Sequence, residues 1–207
     1  MGLCSQGYEV LEAPNGKTAL DLLAGKPALV ILDLGLPDID GHDLLQRIRQ
    51  RQDDMPIIVL SSRGDEAGKV AAFDLGANDY VTKPFGMDEL FARVRTAVRH
   101  QLQRHGERPM FHVGNLSVDL VRRIVKIGDN EGKLSPKEYD LLRLLVLHAG
   151  KVLTHRFPIQ ELWDEPTDPQ YLRVYVRQLR CKIEVDPERP QCIMTEIGIG
   201  YHLRAPD

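Results

Sequence analysis

No stretch of this 207-residue chain is apolar for long enough to cross a membrane. The longest runs, such as Ala28–Leu32, fall well short of the roughly 20 residues that a helical span needs. Cysteine is scarce: Cys4, Cys181 and Cys192 are scattered, with no metal-binding spacing and no even disulfide framework. Reduced thiols in a cytoplasmic protein are the expectation. No basic segment followed by an apolar core opens the chain, so no signal peptide is expected. Strong charge of either sign is missing too. The net charge is −3, and the first hundred residues hold 11 Lys+Arg against 15 Asp+Glu, the rest 16 against 15. Such a mild asymmetry does not by itself mark a nucleic-acid binder. What is present, 43% hydrophobic and 28% charged residues, suits a globular protein with room for two ordinary domains.

The first hundred residues alternate strand and helix patterns. Tyr8–Ala13 reads as a strand, and Lys17–Ala24 as a helix closed by Gly25 as its C-cap. Ala28–Leu34 is a strand pattern whose apolar run ends in one carboxylate, Asp33, and a helix follows from Asp40 or Gly41 to Asp53-Asp54. A strand over Pro56–Ser62 and a weaker helix over Asp65–Leu75 come next. Asn78–Pro84 is a further strand, and Met87, Leu90, Phe91, Val94 and Val98 mark a strong amphipathic helix. Strands alternating with helices predict parallel βα units.

Chemistry in such sheets collects at the carboxyl ends of the strands. Asp33, Ser61 and Lys83 fall at three of those ends. Asp33 alone would more often cap a turn, and a lone Lys83 would more often be a solvated strand-end lysine. A carboxylate, a hydroxyl and an ammonium on one rim instead suggest a phosphoryl-accepting site. The carboxylate attacks phosphorus, the hydroxyl hydrogen-bonds a phosphoryl oxygen, and the lysine neutralises its charge.

Asp33 in LDLGLPDIDG, Ser61 in VLSS, and Tyr80 with Lys83 in DYVTKPFG resemble the receiver domain of two-component response regulators. The resemblance implies a flavodoxin-like parallel sheet, phosphorylation of Asp33 by a histidine kinase, and Mg²⁺ bridging the carboxylate and the phosphoryl group. Gly35 matches the residue whose carbonyl binds that metal. Ser61 and Tyr80 match the switch pair. Lys69, Asp79, Glu89 and Arg93 match positions that form cross-subunit ion pairs between two receivers; the plain alternative is a set of ordinary surface charges. Asn78 and His100 depart from the family's usual Asp and Arg. A complete receiver begins with one more strand, ending in two adjacent acids, and a helix; Met1–Gly7 resembles only the tail of that helix. The chain is therefore expected to be a truncated receiver, with an incomplete metal site at Asp33 and Gly35.

Gln101–Pro109 is polar, holds Gly106 and Pro109, and predicts an interdomain linker between domains at 1–100 and 110–207. Phe111–Asp119 and Arg123–Gly128 are short strands of a small antiparallel sheet. Ser135-Pro136-Lys137-Glu138 is a capping box with proline at the first helical position. Thr154 is expected to cap the next helix, with Pro158 delaying or distorting its start. Tyr171–Ile183 carries Leu172, Val176, Leu179 and Ile183 on one face and Arg173, Arg177 and Arg180 on another. A helix with a core stripe and an arginine stripe can dock in a major groove, although a solvated basic face is the bland alternative. Ile193–Leu203 finishes as a glycine-tipped hairpin.

LSPKEYDLL, HAGKVLTHR, YLRVYVRQLRCKIE and TEIGIGYHL resemble the α+β winged helix-turn-helix domain of OmpR/PhoB-type regulators, with a likeness to its potassium-transport (Kdp) branch. That resemblance implies a transcriptional regulator, not an enzyme, that binds double-stranded promoter DNA as a homodimer. It implies DNA contacts from Arg173, Tyr175, Arg177, Arg180 and Lys182 of the basic helix and from Gly198 and Gly200 of the hairpin. The loop Asp164–Gln170 matches a segment that can meet RNA polymerase. Pro158, the shortness of that loop and His202 depart from the pattern. Two other readings stand beside it: a phosphorylation-deaf DNA-binding regulator, and a phosphoaspartyl hydrolase. Many such hydrolases need a second Asp two residues after the first, where this chain has Gly35.

Overall fold

The computed structural model describes residues 2–51, 54–62, 66–163 and 168–206. It divides into two compact units, Met1–Cys4 with Glu9–Gly106, and Ser5–Tyr8 with Glu107–Asp207.

A short helix α1 (Gly2–Ser5) opens the chain, and the first unit continues with α2 (Gly16–Leu22). The Asn15 side chain caps α2 by accepting from the Thr18 amide at 2.8 Å. A 3₁₀ turn, Leu23–Gly25, ends that segment, and the left-handed residue after it is Lys26 (φ 48°), not the expected Gly25. Three strands follow, β1 (Val30–Asp33), β2 (Ile57–Ser61) and β3 (Asp79–Thr82), parallel and in the order β1-β2-β3. Their register sets Asp33 beside Leu60 and Ser61 beside Thr82.

Residues 8–13, expected as a strand, are not one. A strand is defined by its ladder, and among the described residues the outer edge of β1 pairs with nothing. The alternating pattern was real, but no neighbouring strand turns it into a sheet.

Helices α3 (Gly41–Arg51), α4 (Glu66–Asp74) and α5 (Met87–Arg104) cover the sheet. Leu44, Leu45 and Ile48 of α3 meet Ile57 and Val59 of β2 in one apolar cluster. Gly41 has to be glycine: a Cβ there would lie 2.5 Å from the Leu34 Cα. Helix α5 runs on through Arg104 with Leu102 buried, so the first part of the expected linker is helix. The periodicity of α5 outlasts the polar composition that suggested a break.

The second unit opens with an antiparallel sheet, β4 (Met110–Val113), β5 (Leu116–Asp119), β6 (Ile124–Ile127) and β7 (Asn130–Glu131). Helix α6 (Pro136–Leu147) carries the expected capping box and Pro136 in its first turn. Then come β8 (Leu153–Thr154), α7 (Arg156–Leu162), α8 (Pro169–Ile183), β9 (Ile193–Glu196) and β10 (Gly200–Leu203). Strands order as β8-β10-β9, and β9 with β10 forms the terminal hairpin.

Thr154 does not cap α7; it pairs with Gly200 in the sheet, and His155 is the N-cap. Pro158 is the third helical residue, where a backbone N–H has no intrahelical acceptor, so proline costs the helix little. No helix among the described residues is long and apolar enough to cross a membrane.

Candidate functional sites

The apolar run of β1 ends at Asp33, and that of β2 ends at Ser61. One residue past β3, Lys83 donates its backbone N–H to the Ser61 carbonyl at 2.8 Å, which extends the rim by one step. The Lys83 ammonium is hydrogen-bonded to the Asp33 carboxylate. The other Asp33 oxygen accepts from the Gly35 amide at 3.0 Å. Partial burial would raise the Asp33 pKa, but Lys83 and the Gly35 N–H outweigh it and hold the carboxyl below its ordinary value. Asp33 is therefore an anion near neutral pH, with a cation in contact and its side chain 42% exposed. A half-exposed carboxylate beside an ammonium is accessible to an incoming phosphoryl group.

Ser61 is buried, 3% exposed, and so is Tyr80 on β3. The Lys69 ammonium lies 5.7 Å above the Tyr80 ring. Asn78, one of the departures from the family pattern, has a local role: its Oδ1 accepts from the Ile57 amide at 2.8 Å and from Arg49 at 3.0 Å. Arg49 also donates to the Met55 and Gly76 carbonyls, so it fastens α3 to the segments that lead into β2 and β3.

The other nearby carboxylates have separate duties. Asp38 accepts from the Gly16 and Lys17 amides at 2.8 and 3.1 Å, and the Gly16 N–H is the chief reason its pKa is lowered. Asp40 caps the start of α3 through the His42 amide. No three His, Cys, Asp or Glu side chains among the described residues are placed to hold a metal ion. Mg²⁺ demands near-octahedral oxygen coordination. One carboxylate already bound by Lys83, plus the Gly35 carbonyl, does not fit it.

Arg93 on α5 chelates Asp79 with two contacts of 2.9 Å and bonds Glu89 one turn back at 2.8 Å. Asp79, Glu89 and Arg93 thus form one ion-pair network across β3 and α5, while Lys69 of α4 reaches the Tyr80 ring of β3, and Val70 and Phe73 of α4 are half-exposed.

The basic helix of the second unit resolves differently from its charge pattern. Arg173 and Arg177 are exposed, without a side-chain partner among the described residues. Arg180 instead donates to the Ile193 carbonyl at 2.7 Å and to Thr195 Oγ1 at 2.7 Å, tying α8 to β9. Lys182 bonds the buried Glu138 carboxylate at 2.6 Å. Tyr175 stacks edge-on against Trp163, with ring centres 5.5 Å apart. The resemblance placed all five at DNA; the structure gives three of them partners inside the protein. Gly198 turns the hairpin with φ +78°, whereas Gly200 is set by packing, since a Cβ would sit 1.8 Å from the Leu153 carbonyl oxygen. Residues 164–167, most of the loop matched to a polymerase contact, lie outside the described residues.

Two family models match, "Response regulator receiver domain" over residues 2–95 and "Transcriptional regulatory protein, C terminal" over residues 129–203. The KDP operon transcriptional regulatory protein KdpE of Escherichia coli (strain K12) is 43% identical over 95% of this chain and 88% of its own length. This chain is a two-component response regulator of the OmpR/PhoB type. The transcriptional regulatory protein KdpE of Mycobacterium tuberculosis (strain CDC 1551 / Oshkosh) is likewise 43% identical, over 99% of this chain and 92% of its own. Among solved structures, the response regulator DrrB, a Thermotoga maritima OmpR/PhoB homolog, matches with a TM-score of 0.49 at 30% identity, covering 90% of this chain and 84% of that one. Response regulators of this type bind DNA and are phosphorylated by a histidine kinase, and their receivers generally use Mg²⁺ at the phosphorylation site.

Proposed function

We propose that this regulator accepts a phosphoryl group on Asp33 from a sensor histidine kinase, binds promoter DNA as a homodimer, and controls potassium-transport genes. The observation that carries the first step is the Lys83 ammonium bound to Asp33 where β1 and β3 end. An Asp33 oxygen attacks phosphorus as the bond to the donor's imidazole nitrogen breaks, and the imidazole leaves with a proton from solvent. Lys83 offsets the charge brought to the site, and Ser61 is the hydroxyl one strand away. Likeness to two KDP-type regulators supports the choice of genes. The segment before α8 is proposed to meet RNA polymerase.

The test is direct. The chain is incubated with a small phosphodonor, with and without Mg²⁺, and weighed intact. A gain of one phosphoryl group, absent in Asp33→Asn, is the expected result. The metal donor set described above favours a second reading, a phosphorylation-deaf DNA-binding regulator, which predicts no gain under either condition. We read the chain as a regulator and not as a phosphoaspartyl hydrolase, since Gly35 offers no side chain for acid–base work.

The Asp79–Arg93–Glu89 network, with Lys69 set against Tyr80 on the same strand as Asp79, supports a receiver homodimer in which these charges trade partners across the interface. Within one chain the Arg93 pairs lie at the surface, where such pairs contribute about 0–1 kcal/mol. Arg93→Ala should therefore leave the melting of the dilute chain almost unchanged. It should weaken self-association on DNA, read by sedimentation with an operator duplex.

A further inference from the structure

The buried residues of α8, Leu172, Val176, Leu179 and Ile183, fix how the helix is turned about its own axis. At 3.6 residues per turn, the line opposite them passes through Val174, Arg177, Gln178 and Cys181. The flanks on either side hold Arg180, bound to β9, and Tyr175 and Lys182, engaged with Trp163 and Glu138. The outward ridge is thus narrower than the arginine stripe, and much of it is uncharged. Val174 is 52% exposed despite being apolar. Gln178 is exposed, and its carboxamide has no partner among the described residues.

Val174 and Gln178 are one turn apart, so their side chains stack along one face. Their separation along the axis is roughly 6 Å, about two base steps of a duplex. Each has the chemistry of a base reader. Branched methyl groups pack against the C5-methyl of thymine, and a carboxamide presents the donor and acceptor that match adenine N7 and N6. Resting on the reading of α8 as the major-groove helix, we propose that Val174 and Gln178 specify sequence, reading a thymine and an adenine within about two base steps of each other in each half-site. Arg177 lies about 60° round the helix from Val174, on the side toward Arg173, while Arg173 stands on the flank toward the hairpin, where a phosphate contact needs no base.

The experiment selects bound sequences from a randomised duplex DNA library with the full chain and with Val174→Ala, Gln178→Ala and Gln178→Glu. Wild type is expected to enrich a motif with two A·T pairs at that spacing. Gln178→Ala should relax the adenine preference by roughly 5- to 100-fold at one position and leave the others. Gln178→Glu, which can only accept, should turn that position toward cytosine. Val174→Ala should lower the thymine preference about fourfold at the other. Thermal melting verifies that the variants fold, and the two Gln178 replacements serve as independent probes. If Gln178→Ala and Val174→Ala both return the wild-type motif unchanged, the inference is overturned. If wild type enriches no motif at all, the reading of α8 as the DNA helix falls, and this inference with it.

Discussion

Glu138→Ala is expected to destabilise the second unit by about 3 kcal/mol, the largest loss foreseen for any single side chain outside the apolar core. Glu138 is buried, and its carboxylate meets two demands at once. It accepts from the Ser135 amide at 2.6 Å, closing the capping box of α6, and it binds the Lys182 ammonium at 2.6 Å, joining α6 to α8. Alanine leaves the Ser135 donor without its acceptor and Lys182 without its anion. Because Lys182 is 39% exposed, its ammonium regains water, which keeps the loss near the low end for a broken buried pair. Glu138→Gln, which can still accept from Ser135, should lose less.

The pH dependence has a definite sign. Burial alone would raise the Glu138 pKa, but Lys182 and Ser135 together bring it below the ordinary value of 4.5. A lowered carboxylate pKa contributes stability that is fully present above the unfolded value, and that stability is lost as pH falls through the folded value. The gap between wild type and Glu138→Gln should therefore be widest at neutral pH and close under acid conditions. Urea unfolding followed by tryptophan fluorescence measures this in the second unit alone, since Trp163 is the single tryptophan of the chain.

The second large effect concerns DNA. Arg177→Ala is expected to weaken specific operator binding by about 1–3 kcal/mol, with a much smaller change on unrelated duplex. Arg173→Ala should weaken both alike and reduce the salt slope by about one. Arg180→Ala should behave in a third way: its guanidinium holds Ile193 and Thr195, so the hairpin loses a tether and the effect should appear in stability as well as in binding. Fluorescence anisotropy titrations across a salt series separate the three. Equal losses on operator and unrelated duplex for Arg177→Ala would remove it from the base-reading ridge.

Much of this was legible in the residues themselves. The βα alternation, the strand ending at Asp33, the capping box at Ser135–Glu138 and the buried stripe of α8 are local patterns, and local patterns survive into the structure. What misled was partnership across the sequence. Residues 8–13 have the alternation of a strand and no ladder to join. Thr154 has the chemistry of a cap, but Gly200, far along the chain, draws it into a sheet. Lys182 reads as a cation without a partner until Glu138, 44 residues earlier, is found beside it. Val174 and Gln178 were passed over because a charge stripe draws attention to arginine. The burial phase of α8 would have singled them out, since both lie on the side turned away from the buried stripe.

Arg180 carries one more implication for the proposed DNA complex. By grasping β9 from α8, it makes the groove-facing helix and the glycine-tipped hairpin a single calliper whose jaws are set within the protein. Their two footprints then fall at one separation along a duplex. An operator with a base pair inserted between those footprints would have to give up one jaw, because the gap between them is not free to widen.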